Sequence, residues 1–324
     1  MKLTKLFTGI ICGLIFLFVP ALFAQPKVVG YLPVNYIKDA DINRISFGKL
    51  THLNLAFLNP DSSGNFLVPA AVDLIVAKAH INNVKVLISI AGGNAPGYYS
   101  KLLNDANKDY ITENIVRIIT EHQLDGLDVD LEGNSIDEHY ASFISGLSYL
   151  LRRENKLLTA AVATQYSPKI SNKALSFLDF VNIMSYDKTG PWTPGNPGQH
   201  APFSMAEEDI LFWTQTRGLS KKKIILGVPF YGYQFGKDTI PAWRYADIIS
   251  RFPGAEETDS VFVNDGSIIF YNGKETIKKK TRLAVQKTGG IMIWQILQDA
   301  DGPGSLLNVI DETLRQSKRK NRQL

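Results

Sequence analysis

The stretch Leu124-Asp125-Gly126-Leu127-Asp128-Val129-Asp130-Leu131-Glu132-Gly133 interleaves apolar or small residues with four carboxylates. From Leu127 onward the alternation has period two, and in a strand side chains two apart share a face. Asp128, Asp130 and Glu132 then point one way, and Leu127, Val129 and Leu131 the other. Successive acids on such a face stand about 6–7 Å apart along the strand. Crowding them costs free energy through desolvation and like-charge repulsion. Glu132, last in the run, is the acid best placed to meet a substrate. Two other readings compete. One is a solvated edge-strand face, the ordinary meaning of a generic D-x-D-x-E. The other is a metal site, but Asp125 to Glu132 lacks the glycine and spacing of a calcium loop. No histidine lies near enough in sequence to complete a transition-metal set, so no metal or other cofactor is expected.

The surrounding chain supplies the elements that must position these acids. Strand-like runs fall at Lys27–Leu32, Lys49–Leu58, Val84–Ile90, the acidic run itself, Leu157–Thr164, Phe180–Tyr186, Lys223–Phe230 and Gly290–Trp294. Between them, apolar spacing predicts helices over about Pro69–Ile81, Tyr98–His122, Ile136–Arg153, Met205–Thr216 and Gly304–Arg315, the last with Ser305 as N-cap. Eight mostly continuous apolar strands with intervening helices predict an α/β fold, a closed (β/α)₈ TIM barrel; a doubly wound open sheet is the alternative. Strand-like pieces at Val261–Val263 and Ile268–Tyr271 and a helix-like piece at Trp243–Arg251 predict a small inserted subdomain between strand 7 and strand 8, over about 234–270. In a barrel, Leu127, Val129 and Leu131 suit the outer face. Asp128, Asp130 and Glu132 then climb the inner face toward the C-terminal rim, where active sites of this fold sit.

The chain has 324 residues, 45% hydrophobic and 20% charged, an ordinary globular composition. Lys2 and Lys5 precede an apolar run from Leu6 to about Phe18, followed by small residues up to Ala24, the layout of a secretory signal peptide over residues 1–24. An uncleaved anchor is the alternative. Cleavage after Ala24 leaves residues 25–324 as an exported, secreted or periplasmic, chain with no membrane contact. The single cysteine, Cys12, lies inside the leader, so disulfides, zinc–thiolate sites and a thiol nucleophile are excluded from the mature chain. Loss of Lys2 and Lys5 takes the formal charge from +4 to +2. Apart from the terminal tail Lys318-Arg319-Lys320-Asn321-Arg322, nothing resembles a nucleic-acid footprint, and a monomer is expected. The five histidines (His52, His80, His122, His139 and His200) show no spacing of a triad or metal set. There is no G-x-S-x-G, phosphate loop or G-x-G-x-x-G, which argues against serine hydrolases and the common nucleotide enzymes.

Asp125-Gly126-Leu127-Asp128-Val129-Asp130-Leu131-Glu132 resembles the D-G-x-D-x-D-x-E signature of the family 18 glycoside hydrolases, the chitinases and their relatives. Further matches follow in order. Gly30-Tyr31 fits the first strand. Ser89-Ile90-Ala91-Gly92-Gly93 resembles the S-x-G-G strand, with Ala91 where glycine is usual. Met184-Ser185-Tyr186-Asp187 resembles M-x-Y-D, Leu226 to Gly232 the seventh-strand motif, and Gly289 to Trp294 the eighth. The resemblance implies hydrolysis of β-1,4-linked N-acetylglucosamine chains with retention, the substrate's own acetamido carbonyl acting as nucleophile. It implies that Glu132 is general acid and then base, its pKa raised by the neighbouring carboxylate of Asp130, that Asp130 accepts the acetamido N–H, and that Asp128 shares a proton with Asp130, with Ser89 as a partner. Tyr186 would hold the acetamido carbonyl, Asp187 would bind sugar hydroxyls or the acetamido group, and Trp294 would floor the −1 sugar. Tyr31, Phe57 and Tyr231 are further candidates for pocket walls. Trp192 and Trp243 could line subsites, and Trp213, mid-helix, reads as packing. Asp125, of opposite parity, reads as structural.

The resemblance leaves rivals open. An endo-β-N-acetylglucosaminidase acting on N-glycan cores would use the same residues with different loops. A lectin-like member would bind chitin without cutting it, though such members typically lack the acid that Glu132 supplies here. Among chitinases, endo action on soluble chains is favoured.

Overall fold

The computed structural model describes residues 25–236 and 238–321; the expected leader and its cleavage point lie outside the described residues. Eight parallel strands close into a barrel: β1 (Lys27–Pro33), β2 (His52–Ala56), β3 (Lys85–Ala91), β4 (Gly126–Asp130), β5 (Leu157–Val162), β6 (Phe180–Ile183), β7 (Ile224–Pro229) and, after an insertion, β12 (Gly290–Trp294). Closure joins β1 to β12, with Lys27 paired to Gly290 and Gly30 to Ile293. This is the (β/α)₈ barrel expected from the pattern, and the open sheet is set aside.

Parity on β4 is as the alternation requires. Leu127, Val129 and Leu131 are buried in the layer between strands and helices, with Ile115 and Ile118 of helix Lys108–Glu121 and Phe143 and Leu147 of helix Tyr140–Arg153. Each such side chain contributes roughly 2 kcal/mol by leaving water. A slip of one residue would exchange them for three acids, so this face fixes the register. The inner face pairs Ser89 with Asp128, Ala91 with Asp130, and Asp128 with Thr159 on the neighbouring strands.

Helix boundaries depart from the apolar spacing where polar side chains intervene. The segment read as one helix over Tyr98–His122 is two, Tyr99–Leu103 and Lys108–Glu121. Asn104 breaks it, its Oδ1 accepting the backbone N–H of Ala106 and of Asn107, both at 3.1 Å, in place of the helical ladder. The segment from Met205 begins at Phe203 as α-helix and widens to a π turn over Phe212–Thr216. Ser305 does cap the last helix, its Oγ accepting from the Asn308 N–H at 3.0 Å.

Between β7 and β12 the chain builds a separate antiparallel sheet from β8 (Tyr231–Phe235), β9 (Ala242–Arg244), β10 (Ser260–Phe262) and β11 (Ile268–Phe270), in the order β10-β11-β8-β9. Trp243, expected at a helix start, is in β9; the helix is Tyr245–Arg251.

Gly126 in the acidic motif has a packing reason. A β-carbon there would lie 2.2 Å from the backbone oxygen of Leu157 on β5, a contact neither strand can relieve without moving. Gly126→Ala is expected to lower unfolding stability by about 3 kcal/mol, read by urea unfolding with tryptophan fluorescence. An unchanged midpoint would mean that β4 and β5 are not packed this closely.

Candidate active site

The inner face of β4 presents its acids at three depths. Asp128, deepest and fully buried, receives two hydrogen bonds on each oxygen. Tyr31 Oη (2.7 Å) and Ser89 Oγ (2.8 Å) donate to Oδ2, while Thr159 Oγ1 (2.5 Å) and Asn182 Nδ2 (3.2 Å) donate to Oδ1. Burial pushes its pKa up and these donors pull it back. Four donors are about what its two oxygens can accept, and its charge reaches Asp130 through space.

Asp130, one step up, is also buried, but its Oδ1 has no partner among the described residues. Burial first, then the charges of Glu132 and Asp128, hold its pKa well above the carboxylate range. Glu132 follows the strand at the rim and is partly exposed. Its pKa is raised to about 7, by burial first and then by the carboxylate of Asp187. The repulsion expected between Asp130 and Glu132 is present and shows as a lift on Asp130, while Asp187, in the loop after β6, sets a second charge against Glu132.

The upper two acids open onto a cavity of about 770 Å³, in the range of small-molecule sites, lined by Asp130, Glu132, Tyr186 and Asp187 and by the aromatic rings of Tyr31, Phe57 and Trp294. The Phe57 and Trp294 rings stack with centroids 5.5 Å apart at 24°, and Tyr31 tilts against Trp294 at the same separation. An aromatic wall facing carboxylates suits a ligand with one C–H face and many hydroxyls. Trp192 also lines the cavity. Trp213 is fully buried, its Nε1 donating to Thr164 Oγ1, and Trp243 donates to Gln234 Oε1 within the inserted sheet. Asp125 accepts from the Val86 N–H at 2.8 Å and pairs with His80 at 2.8 Å, outside the cavity.

Ser89 has no exposed surface and its hydroxyl is committed to Asp128, the partner expected for it, so it does not line the cavity. One expected wall residue lies elsewhere. Tyr231 stands behind the wall, its hydroxyl donating to Asp187 Oδ1 at 2.5 Å. Both side chains are consumed by holding an acid, which leaves neither free to face a ligand. Tyr233 Oη and His200 Nδ1 approach that same Oδ1, each at 3.3 Å, while His200 Nε2 meets the Tyr231 carbonyl at 3.1 Å. One carboxylate oxygen of Asp187 is thus surrounded by protein groups.

Several of these residues escaped the sequence reading. Thr159 and Asn182 did leave a signal, being polar at inward parity in otherwise apolar strands. His200, Tyr233 and Asn59 left none, because they reach the site from loops or from the inserted sheet.

Residues 27–299 match the family model described as Glycosyl hydrolases family 18. The crystal structure of a family 18 chitinase from the chitin utilization locus of Flavobacterium johnsoniae superposes with a TM-score of 0.84 at 38% identity, covering 91% of this chain and 95% of that one. A chitinase structure from Bacteroides thetaiotaomicron gives 0.79 at 28% identity, covering 91% and 98%. In sequence, the class V chitinase of Arabidopsis thaliana is 26% identical over 87% of this chain and 82% of its own length. With the acidic strand, the barrel and the rim cavity in their places, the chain belongs to family 18 of the glycosyl hydrolases.

Proposed function

We propose that this glycoside hydrolase is an exported chitinase, cleaving β-1,4-linked N-acetylglucosamine chains with retention by way of the substrate's own acetamido group. The observation that carries the reading is Asp130. A buried carboxyl oxygen without a partner is costly, and a sugar bearing an amide N–H at C2 would satisfy it. That contact would hold the acetamido carbonyl toward C1 and stabilise the positive charge that develops on it. Tyr186, buried beside the cavity, is the candidate to steady the carbonyl oxygen. Glu132 would protonate the leaving oxygen and then activate water; a carboxyl with a pKa of about 7 suits both halves of that task. Trp294 and Phe57 would take the apolar face of the sugar. The family 18 chitinase of Flavobacterium johnsoniae, 38% identical, supports the choice of chitin. Endo action is favoured because a second groove of about 390 Å³ continues past Phe57 and Trp294 toward Tyr36 and shares Asn35 with the main cavity, room for further sugar units. Export rests on the leader-like residues 1–24.

Glu132→Gln is expected to lower kcat on chito-oligosaccharides by on the order of 10³-fold while calorimetric binding of the oligosaccharide persists; a fully active variant would sink the mechanism. Asp130→Asn should also lose most activity. Mass-spectrometric product analysis beside a high-mannose glycoprotein tests the substrate, since cleavage of the glycoprotein alone would move the assignment to N-glycan cores.

The pH dependence follows from the same carboxyl. A general acid must be protonated, so kcat/KM should fall as pH rises through about 7. The Asp187 charge raises this pKa, so Asp187→Asn should move the alkaline limb to lower pH; an unmoved limb would refute the coupling.

Stability should fall over the same pH range as activity. Because the folded pKa of Glu132 is raised above its usual 4.5, its contribution to stability is fully present below pH 4.5 and is lost as pH rises through about 7. Glu132→Gln removes that loss. By urea unfolding the variant should gain little at pH 4.5 and about 2 kcal/mol at pH 8, after allowance for partial exposure.

A further inference from the structure

Ala91 stands where glycine is usual in the third-strand motif, and its backbone shows what the exchange demands. Its φ is +77°, and Gly92 follows at +84°. In this left-handed region glycine is at ease, whereas a β-carbon crowds its own backbone. One side chain holds Ala91 there. Asn59, in the loop after β2, accepts the Ala91 N–H on Oδ1 at 2.6 Å and donates from Nδ2 to the Ala91 carbonyl at 3.0 Å. The Tyr99 hydroxyl donates to the same Oδ1 at 2.5 Å, which fixes how the amide is turned.

The turn so held touches the site at three points. Ala91 pairs with Asp130 across the strands, and the Gly92 N–H donates to the Asp130 carbonyl at 2.8 Å. Gly92 lies flat against Phe57, where a β-carbon would come within 2.4 Å of the ring. Gly93 lies beside the Glu132 carboxyl, where a β-carbon would stand 3.2 Å from Oε1. If Ala91 relaxed to a negative φ, the Gly92–Gly93 backbone would leave all three.

We propose that Asn59 is a positioning residue, whose amide holds Ala91 in the left-handed conformation and thereby sets the turn that aligns Phe57, Asp130 and Glu132. The inference rests on the reading of Glu132 as the proton carrier. Asn59 also lines the cavity, so the rival role is direct contact with substrate. A double-mutant cycle separates the two.

Four chains are compared, native, Asn59→Ala, Ala91→Gly and the double variant, by kcat, KM and Tm on whichever of chito-oligosaccharide or glycoprotein the native chain cleaves. Ala91→Gly should stay active and melt no lower than the native chain, because glycine takes the left-handed turn without the steric cost. Asn59→Ala should lose on the order of 10- to 100-fold in kcat, with KM changed less than about twofold, as expected for misaligned chemistry. The double variant should recover to within about threefold of Ala91→Gly, because glycine no longer needs the clamp. A double variant as slow as Asn59→Ala, an Asn59→Ala with native kcat, or an inactive Ala91→Gly would each overturn the proposal. If Asn59→Ala does not fold, a folded and active double variant supports it and an unfolded one overturns it. Failure of the Glu132 assignment would be seen separately, as retained hydrolysis in Glu132→Gln.

Discussion

Three carboxylates share the inner face of one strand, and the barrel is arranged around the cost of keeping them there. The deepest, Asp128, is met by four donors from four other strands: Tyr31 on β1, Ser89 on β3, Thr159 on β5 and Asn182 on β6. Two on each oxygen is about what a carboxylate can accept. The same bonds tie the staves together across the interior, so one buried acid serves as a hub for more than half of the barrel. Removing any donor would leave a costly unpaired lone pair, while removing Asp128 would strand four hydroxyl or amide groups. That reciprocity accounts for polar side chains in strands that are otherwise runs of Val, Ile and Leu.

Above the hub the satisfaction of the acids declines step by step. Asp128 is saturated, Asp130 keeps an unpartnered buried oxygen, and Glu132 is partly open to solvent. Stability alone asks for partners wherever an acid is buried, which Asp128 has and Asp130 Oδ1 lacks. A site that must bind and protonate something is better left incomplete where the ligand arrives, with the deficit offset deeper down. The outward Leu127, Val129 and Leu131 are part of that offset, because they fix the strand register against the helices.

Much of this was legible in the residues themselves. Period-two alternation gave the faces of β4, and unbroken apolar runs gave the parallel barrel strands. What was not legible depended on contacts between residues distant in sequence. Tyr231 is a polar group near a rim motif, and nothing local distinguishes one that faces a ligand from one that holds an acid. Asn104 carries a helix-breaking competence that apolar spacing does not register. Part of the lift on Glu132 comes from Asp187, which is 55 positions along the chain but lines the same cavity.

The inserted sheet shows the same limit and a reason for its position. β8 begins two residues after β7 ends, so Tyr231 and Tyr233 are delivered directly behind Asp187, whose φ of +65° turns it out of the β6 direction. With His200 they gather on Oδ1, so the other oxygen is the one left to face the cavity. An insertion after β2, opposite β6 in the barrel order, would have to cross the barrel mouth to reach that carboxylate. Its strands stand behind the cavity and do not line it, yet they determine which way a charge that helps to raise Glu132 is pointed. The acidic strand supplies the proton-bearing group, but its affinity for that proton is set partly from a segment outside the barrel.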